Sequence, residues 1–75
     1  MRLKNFSDIE RAFLKFRIMK LASTGRFINE IYEVLMGLNF EKAYIRDCIW
    51  SLMDESYLVI KEENKCFAIR NYPSF

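Results

Sequence analysis

Between Asn39 and Arg70 the spacing of the apolar residues changes from a helical period to a period of two. As far as Asp54-Glu55-Ser56 they recur every three or four residues, as on one side of an amphipathic helix. Two short apolar runs follow, at residues 57–60 and 66–69, separated by a polar turn. This order predicts a helix that leads directly into a β-hairpin.

The first predicted helix begins at Ser7 and ends at about residue 22 or 23. Ser7 can cap it, Glu10 completes a capping box, and Phe6 can pack back as a hydrophobic staple. Gly25 follows the helix and can adopt the left-handed conformation of a C-terminal cap.

This first helix carries apolar residues on two sides. One stripe consists of Ile9, Ala12, Phe13, Phe16 and Met19, and the other of Leu14, Ile18 and Leu21. A helix of this kind is either enclosed in its own domain or shared with a second chain. Burial of the second stripe between two chains would add apolar area to a small domain, so this stripe predicts a homodimer. The alternative is that the hairpin, or a C-terminal tail containing Tyr72 and Phe75, covers the stripe within one chain.

A second helix is predicted from about Phe27 to Met36, ended by Gly37. Asn39 is the predicted cap of a third helix at about 40–55, with Glu41 in the first turn. The buried stripe of this third helix consists of Ile45, Cys48, Ile49 and Leu52.

The hairpin has a self-consistent predicted register. A turn centred on Glu63-Asn64 places Ile60 opposite Phe67 and Leu58 opposite Ile69, so that four large apolar residues share one face. Cys66 then belongs to the opposite face. Asn64 tolerates the positive φ that such a turn requires.

The length of 75 residues predicts a single domain over residues 1–75, and a hydrophobic share of 52% supplies apolar side chains for its core. No apolar run is long enough to span a membrane or to resemble a signal peptide, so we expect a cytoplasmic protein. In that compartment Cys48 and Cys66 are expected to be reduced and buried, with a bridge between them as the alternative.

The residue types argue against an enzyme. The chain contains no His, which removes the commonest general base and most zinc sites. Two isolated cysteines do not form a metal cluster, and the two glycines do not form a phosphate-binding loop. No cofactor and no metal are therefore expected, and the adjacent carboxylates at 54–55 and 62–63 are interpreted as solvated charges.

Charge is distributed unevenly along the chain. Residues 1–26 hold seven basic groups and two acidic ones, whereas residues 27–55 hold two basic groups and six acidic ones. Residues 56–75 hold three basic and two acidic groups. Nucleic-acid binding depends on basic groups that cluster on one face, and here they concentrate on the first helix and the hairpin.

The chain resembles the winged helix-turn-helix superfamily over nearly its whole length. The resemblance depends on residues 17–22, Glu30-Ile31, Gly37-Leu38, and the series Ile45, Ile49, Leu52, Tyr57 and Leu58. Where the superfamily commonly has Gly between the third helix and the first strand, this chain has Ser56. The resemblance implies an α+β fold of three helices with a C-terminal two-stranded β-hairpin as the wing.

The resemblance also implies a small DNA-binding protein that regulates transcription. The third helix, at about 40–55, would enter the major groove of double-stranded DNA, and the wing, at about 57–70, would contact the neighbouring backbone. The residues expected to bind DNA are Lys42, Tyr44, Arg46, Lys61 and Lys65. Arg46 suits a bidentate contact to guanine and Lys42 a contact to phosphate, and the alternative is that both are solvated charges paired with Glu41 and Asp47.

A helical projection of the third helix supports a second hypothesis. The positions expected to point farthest from the core are Ala43, Asp47, Trp50 and Asp54. Two carboxylates there would repel phosphates, and an exposed Trp is typical of protein–protein hot spots. The chain could therefore be a winged-helix protein-interaction module, such as a phage, viral or plasmid accessory protein, that does not bind DNA. Its interface would include Trp50, and the stripe Leu14, Ile18 and Leu21.

Overall fold

Three α-helices and three short strands lie along residues 8–72, the part of the chain that a computed structural model describes. The elements are α1 (Asp8–Ala22), β1 (Arg26–Phe27), α2 (Ile28–Gly37), α3 (Lys42–Asp54), β2 (Leu58–Lys61) and β3 (Lys65–Ala68). The strands form one antiparallel sheet in the order β1-β3-β2. The fold is thus a small α+β domain, as the sequence predicted at this level. The predicted contributions of Ser7, Phe6 and Phe75 lie outside the described residues.

The core lies between α1, α3 and the inner face of the sheet. Its fully buried members come from all three helices and from β3: Leu14, Ile18, Ala22, Ile31, Leu35, Ile45, Cys48, Leu52 and Cys66. The predicted stripe of the third helix, from Ile45 to Leu52, is confirmed.

One predicted helix end is confirmed by the structure, and one is wrong. Gly25 has φ +85°, the left-handed conformation predicted for it after α1. The prediction that Asn39 caps the third helix is wrong. Asn39 has φ 73° and donates its N–H to the Met36 carbonyl, so it ends α2, while Glu41 is the N-terminal cap residue of α3.

The predicted hairpin register is wrong by one residue. The observed pairs are Leu58 with Ala68 and Ile60 with Cys66, because three residues, Glu62–Asn64, form the turn instead of two. Both Glu63 and Asn64 take positive φ there, as predicted for Asn64. Since side chains alternate along a strand, a shift of one residue moves every side chain of one strand to the opposite face. Cys66 is therefore buried.

The sequence did not predict β1. It comprises only Arg26 and Phe27, which pair with Cys66 and Lys65 of β3. Two residues carry no periodicity, so only the pairing identifies them as a strand. This third strand places a residue from the middle of the chain, Phe27, on the same face of the sheet as Lys65 of the hairpin.

Candidate nucleic-acid interface

Lys42 and Arg46 lie one turn apart at the start of α3, and both are exposed. The Lys42 Nζ is 5.7 Å from the centroid of the Tyr32 ring on α2. Partial burial raises the pKa of the Tyr32 hydroxyl, while the nearby Arg46 guanidinium acts in the opposite direction. Over residues 8–72 neither Lys42 nor Arg46 forms an ion pair, so the expected alternative of pairing with Glu41 and Asp47 is absent.

The prediction that Tyr44 is available to DNA is wrong. The Tyr44 side chain is only 6% exposed and belongs to the core. Positions four apart share a helix face, so Tyr44 lies above Cys48 and Leu52 on the buried side of α3. The predicted buried side began at Ile45 and did not include Tyr44, which precedes it.

The outward face of α3 carries Asp47, Trp50 and Asp54, all exposed as predicted. The Trp50 side chain is 63% exposed, which is unusual for a large aromatic ring. Ala43, assigned to the same face, is half-buried. This face therefore combines two carboxylates with an apolar ring, and Arg46 borders it.

The outer face of the sheet carries Phe27, Val59, Lys61, Lys65 and Phe67, a group called here the outer sheet face. Phe27 pairs with Lys65, Lys61 pairs with Lys65, and Val59 pairs with Phe67, so all five project to the same side. Cys66 and Leu58, which alternate with them, are buried on the other side. The two hairpin lysines that were predicted to bind DNA thus lie among aromatic rings. The predicted register did not place them beside Phe27.

Cations and rings are in direct contact on the outer sheet face. The Lys65 Nζ lies 5.3 Å from the centroid of Phe27 and 5.9 Å from that of Phe67. The Lys61 Nζ lies 5.5 Å from the centroid of Phe67. Such distances permit cation–π attraction, and the lysine stems cover part of the apolar rings.

The basic groups of the first helix do not join this site as one patch. Lys15 is buried, and its Nζ donates to the Glu55 carboxylate across the α1–α3 contact at 3.2 Å. Arg17 and Lys20 lie over the rings of Phe13 and Phe16 on their own helix. The excess of basic residues in the N-terminal part of the sequence therefore overstates the positive charge available on one face.

The stripe predicted to form a dimer interface is mostly internal. Leu14 and Ile18 are fully buried within one chain, so their assignment to an exposed interface is wrong, and Leu21 is half-buried. They pack there because α1 lies against α3 and β3. For these residues the alternative prediction is correct: the stripe is covered within one chain. Instead, Ile9 and Phe13 of the other stripe are exposed.

Both cysteines are free and buried, as the sequence predicted. Burial raises the pKa of the Cys48 thiol to about 11, against which the nearby Arg11 and Lys15 act. Burial also raises the pKa of Cys66. Neither thiol is therefore activated as a nucleophile.

Residues 8–72 contain neither a cluster of metal ligands nor a membrane-spanning helix. No group of three or more His, Cys, Asp or Glu side chains there is arranged to hold a metal ion. None of the helices in that range has the length and apolar character needed to cross a membrane.

Comparison of the chain with protein-family models, with curated proteins and with solved structures finds no match.

Proposed function

We propose that this chain is a small DNA-binding protein of the winged-helix type that acts in the regulation of transcription. In this proposal α3 enters the major groove, and the β2–β3 hairpin contacts the neighbouring backbone. The observation that carries it is the pair of exposed cations at the start of α3, Lys42 and Arg46, neither of which forms an ion pair with any residue from 8 to 72. An arginine free of carboxylates can contact guanine, and a free lysine can neutralise a phosphate.

Tyr32 lies beside the two cations of α3. Lys42 contacts this ring, and Tyr32 is close enough to Arg46 for the guanidinium to affect its pKa. Lys65 does not continue this group, because it projects to the outer side of β3, whereas its neighbour Cys66 is buried on the inner side. In this proposal the hairpin therefore contacts the DNA backbone separately from α3.

The test is double-stranded DNA binding by the Lys42→Ala/Arg46→Ala protein over a range of salt concentrations. Loss of a guanine contact and of a phosphate-neutralising group should weaken binding, and the phosphate contact accounts for a decrease of about 0.9 in the dependence of log K on log salt. The matched control is Arg17→Ala/Lys20→Ala, which removes the same charge from exposed positions of α1. Equal affinities for the wild type and the α3 variant in low salt would contradict the proposal.

Trp50 favours a second candidate function, protein–protein interaction. The ring is 63% exposed between Asp47 and Asp54, and a central tryptophan ringed by polar groups is typical of binding hot spots. A protein partner that bound there would change the emission of Trp50, the only tryptophan in the sequence. A change in emission with a protein partner and none with DNA would favour this function over the first.

A further inference from the structure

Phe27 and Phe67 form an adjacent pair of rings on the outer sheet face. Phe27 lies opposite Lys65, and Phe67 lies two residues further along β3, which makes the two aromatic residues diagonal neighbours. The Cβ atoms of such neighbours are about 7–8 Å apart. Successive nucleotides of an extended single strand can span this separation, so two rings so placed can each receive one base.

Local structure holds the Phe67 ring and the backbone at Phe27. The Phe67 ring lies against Gly25, where an added Cβ would be only 2.5 Å from the Phe67 Cε1. The backbone N–H of Phe27 donates to the Glu30 carboxylate at 3.3 Å, which holds the turn from β1 into α2. Phe27 nevertheless remains 38% exposed. A fixed, accessible ring loses little entropy when a ligand stacks on it.

The charges around the rings indicate the chemistry of the ligand. Lys61 and Lys65 both project from this face, and each Nζ lies within 6 Å of at least one ring centroid. A base that stacked on a ring would displace the ammonium group towards the phosphate of the same nucleotide. The carboxylates near this face are Glu62 and Glu63, in the turn beyond the strands, and Glu30, which accepts the backbone N–H of Phe27. A polyanion would therefore cross the strands and avoid the hairpin tip.

We propose that the outer sheet face binds single-stranded nucleic acid, with bases stacked on Phe27 and Phe67 and phosphates held by Lys61 and Lys65. A duplex cannot use these rings, because its bases are already stacked on one another and present only their edges. Aromatic side chains on a sheet among basic groups are a general means of binding single strands, and stacking there tolerates any base sequence. This site goes beyond the proposed duplex binding by α3, although the two share the wing lysines.

The test measures binding of a fluorescently labelled oligo-dT to the full chain by anisotropy. Phe27→Ala should weaken binding by at least about fivefold, the lower end of the effect of losing one base–aromatic stack. Phe27→Trp should retain or strengthen it. The matched control is Phe13→Ala on α1, since Phe13 is 41% exposed and also lies under a cation, with Arg17 at 4.8 Å. Circular dichroism verifies that each variant is folded.

Phe67 is not the first choice for substitution because its ring packs on Gly25. Lys61→Ala/Lys65→Ala is the second variant, and it should weaken oligo-dT binding and lower its salt dependence. No binding by the wild type, or equal losses for Phe27→Ala and Phe13→Ala, would overturn the proposal. An unchanged affinity in a folded Phe27→Ala protein would do the same, because it would mean that the lysines only shield the rings.

The duplex and single-strand sites can fail separately. Lys42→Ala/Arg46→Ala should weaken binding to double-stranded DNA and leave oligo-dT binding within twofold of wild type, whereas Phe27→Ala should do the reverse. If the wild type bound oligo-dT but no duplex, the proposed function would fail and the single-strand site would stand. If every variant lost both ligands equally, the proposal of a separate site on the sheet would be overturned.

Discussion

The outward face of α3 and the outer sheet face both meet solvent, yet they carry opposite chemistry. On α3 the exposed positions include Asp47 and Asp54 on either side of Trp50. On the sheet, Lys61 and Lys65 lie over aromatic rings, and none of the strand positions on that face is acidic. A polyanion is repelled by the centre of the first surface and attracted by the second.

This difference separates the two proposed functions, duplex binding and protein–protein interaction. Only Lys42 and Arg46, at one edge of α3, favour a duplex, while the centre of that helix suits a protein partner. The outer sheet face, in contrast, consists of apolar and basic side chains. Variants that act on one surface and spare the other are therefore the most informative.

Gly25→Ala should disrupt the support of the outer sheet face most strongly. The new Cβ would meet the Phe67 ring, and φ +85° is strained for a residue with a side chain. We expect the free energy of unfolding to fall by about 2–4 kcal/mol, which combines the left-handed strain with overpacking. Urea denaturation measures it. Gly37→Ala is the control, because nothing lies within 4 Å of its added Cβ, and it should stabilise α2 by about 0.5 kcal/mol.

Glu55→Ala should weaken the attachment of α3 to α1. It leaves the Lys15 ammonium, whose side chain is only 9% exposed, without its carboxylate. Because Glu55 itself is 47% exposed, water screens much of the pair, and we expect a loss of about 1 kcal/mol in urea denaturation. Lys15→Met removes the buried charge instead and should leave stability unchanged or slightly raised. A larger loss for Lys15→Met than for Glu55→Ala would contradict this account.

The Cys48 thiol, which lies under the same α1–α3 contact, should make stability depend on alkaline pH. Its pKa rises from 9.0 to about 11 in the folded state, so folding favours the neutral thiol. This contribution is fully present below pH 9 and is lost as the pH rises from about 9 towards 11, at up to about 1.4 kcal/mol per pH unit. Cys48→Ala should flatten, without abolishing, the decline in unfolding free energy, since burial also raises the pKa of Cys66. An identical slope in the variant would contradict the assignment.

Asp47→Asn/Asp54→Asn should give the smallest effect and the most direct test of the outward face of α3. Removal of two exposed carboxylates should raise affinity for double-stranded DNA by about two- to fivefold in low salt, in line with the small energies of exposed charges. Affinity for oligo-dT should stay unchanged if single strands bind the outer sheet face. Glu33→Gln on α2 controls for a change of charge elsewhere. Weaker duplex binding by the α3 variant would be the opposite of this expectation.

The helices were predictable because their information is local. The stripe from Ile45 to Leu52 fixed which side of α3 faces the core, and Gly25 marked the end of α1. Tyr44 was misassigned because an aromatic residue with a hydroxyl fits either a surface or a core. Ser56 takes φ 66° between α3 and β2, at the position where the resembled superfamily commonly has Gly.

The sequence by itself determined the order of the main elements, the apolar side of α3 and the exposure of Trp50, since helical periodicity defines a face without any partner. Only the tertiary structure decided the hairpin register and the existence of β1. Register depends on the length of the turn, and Glu62–Asn64 forms a turn of three residues where two were expected. The pairing of β1 with β3 then brought Phe27, from the middle of the chain, beside Phe67 and the wing lysines. Contacts between residues so far apart in sequence leave no periodic signal, so the outer sheet face became visible only in three dimensions.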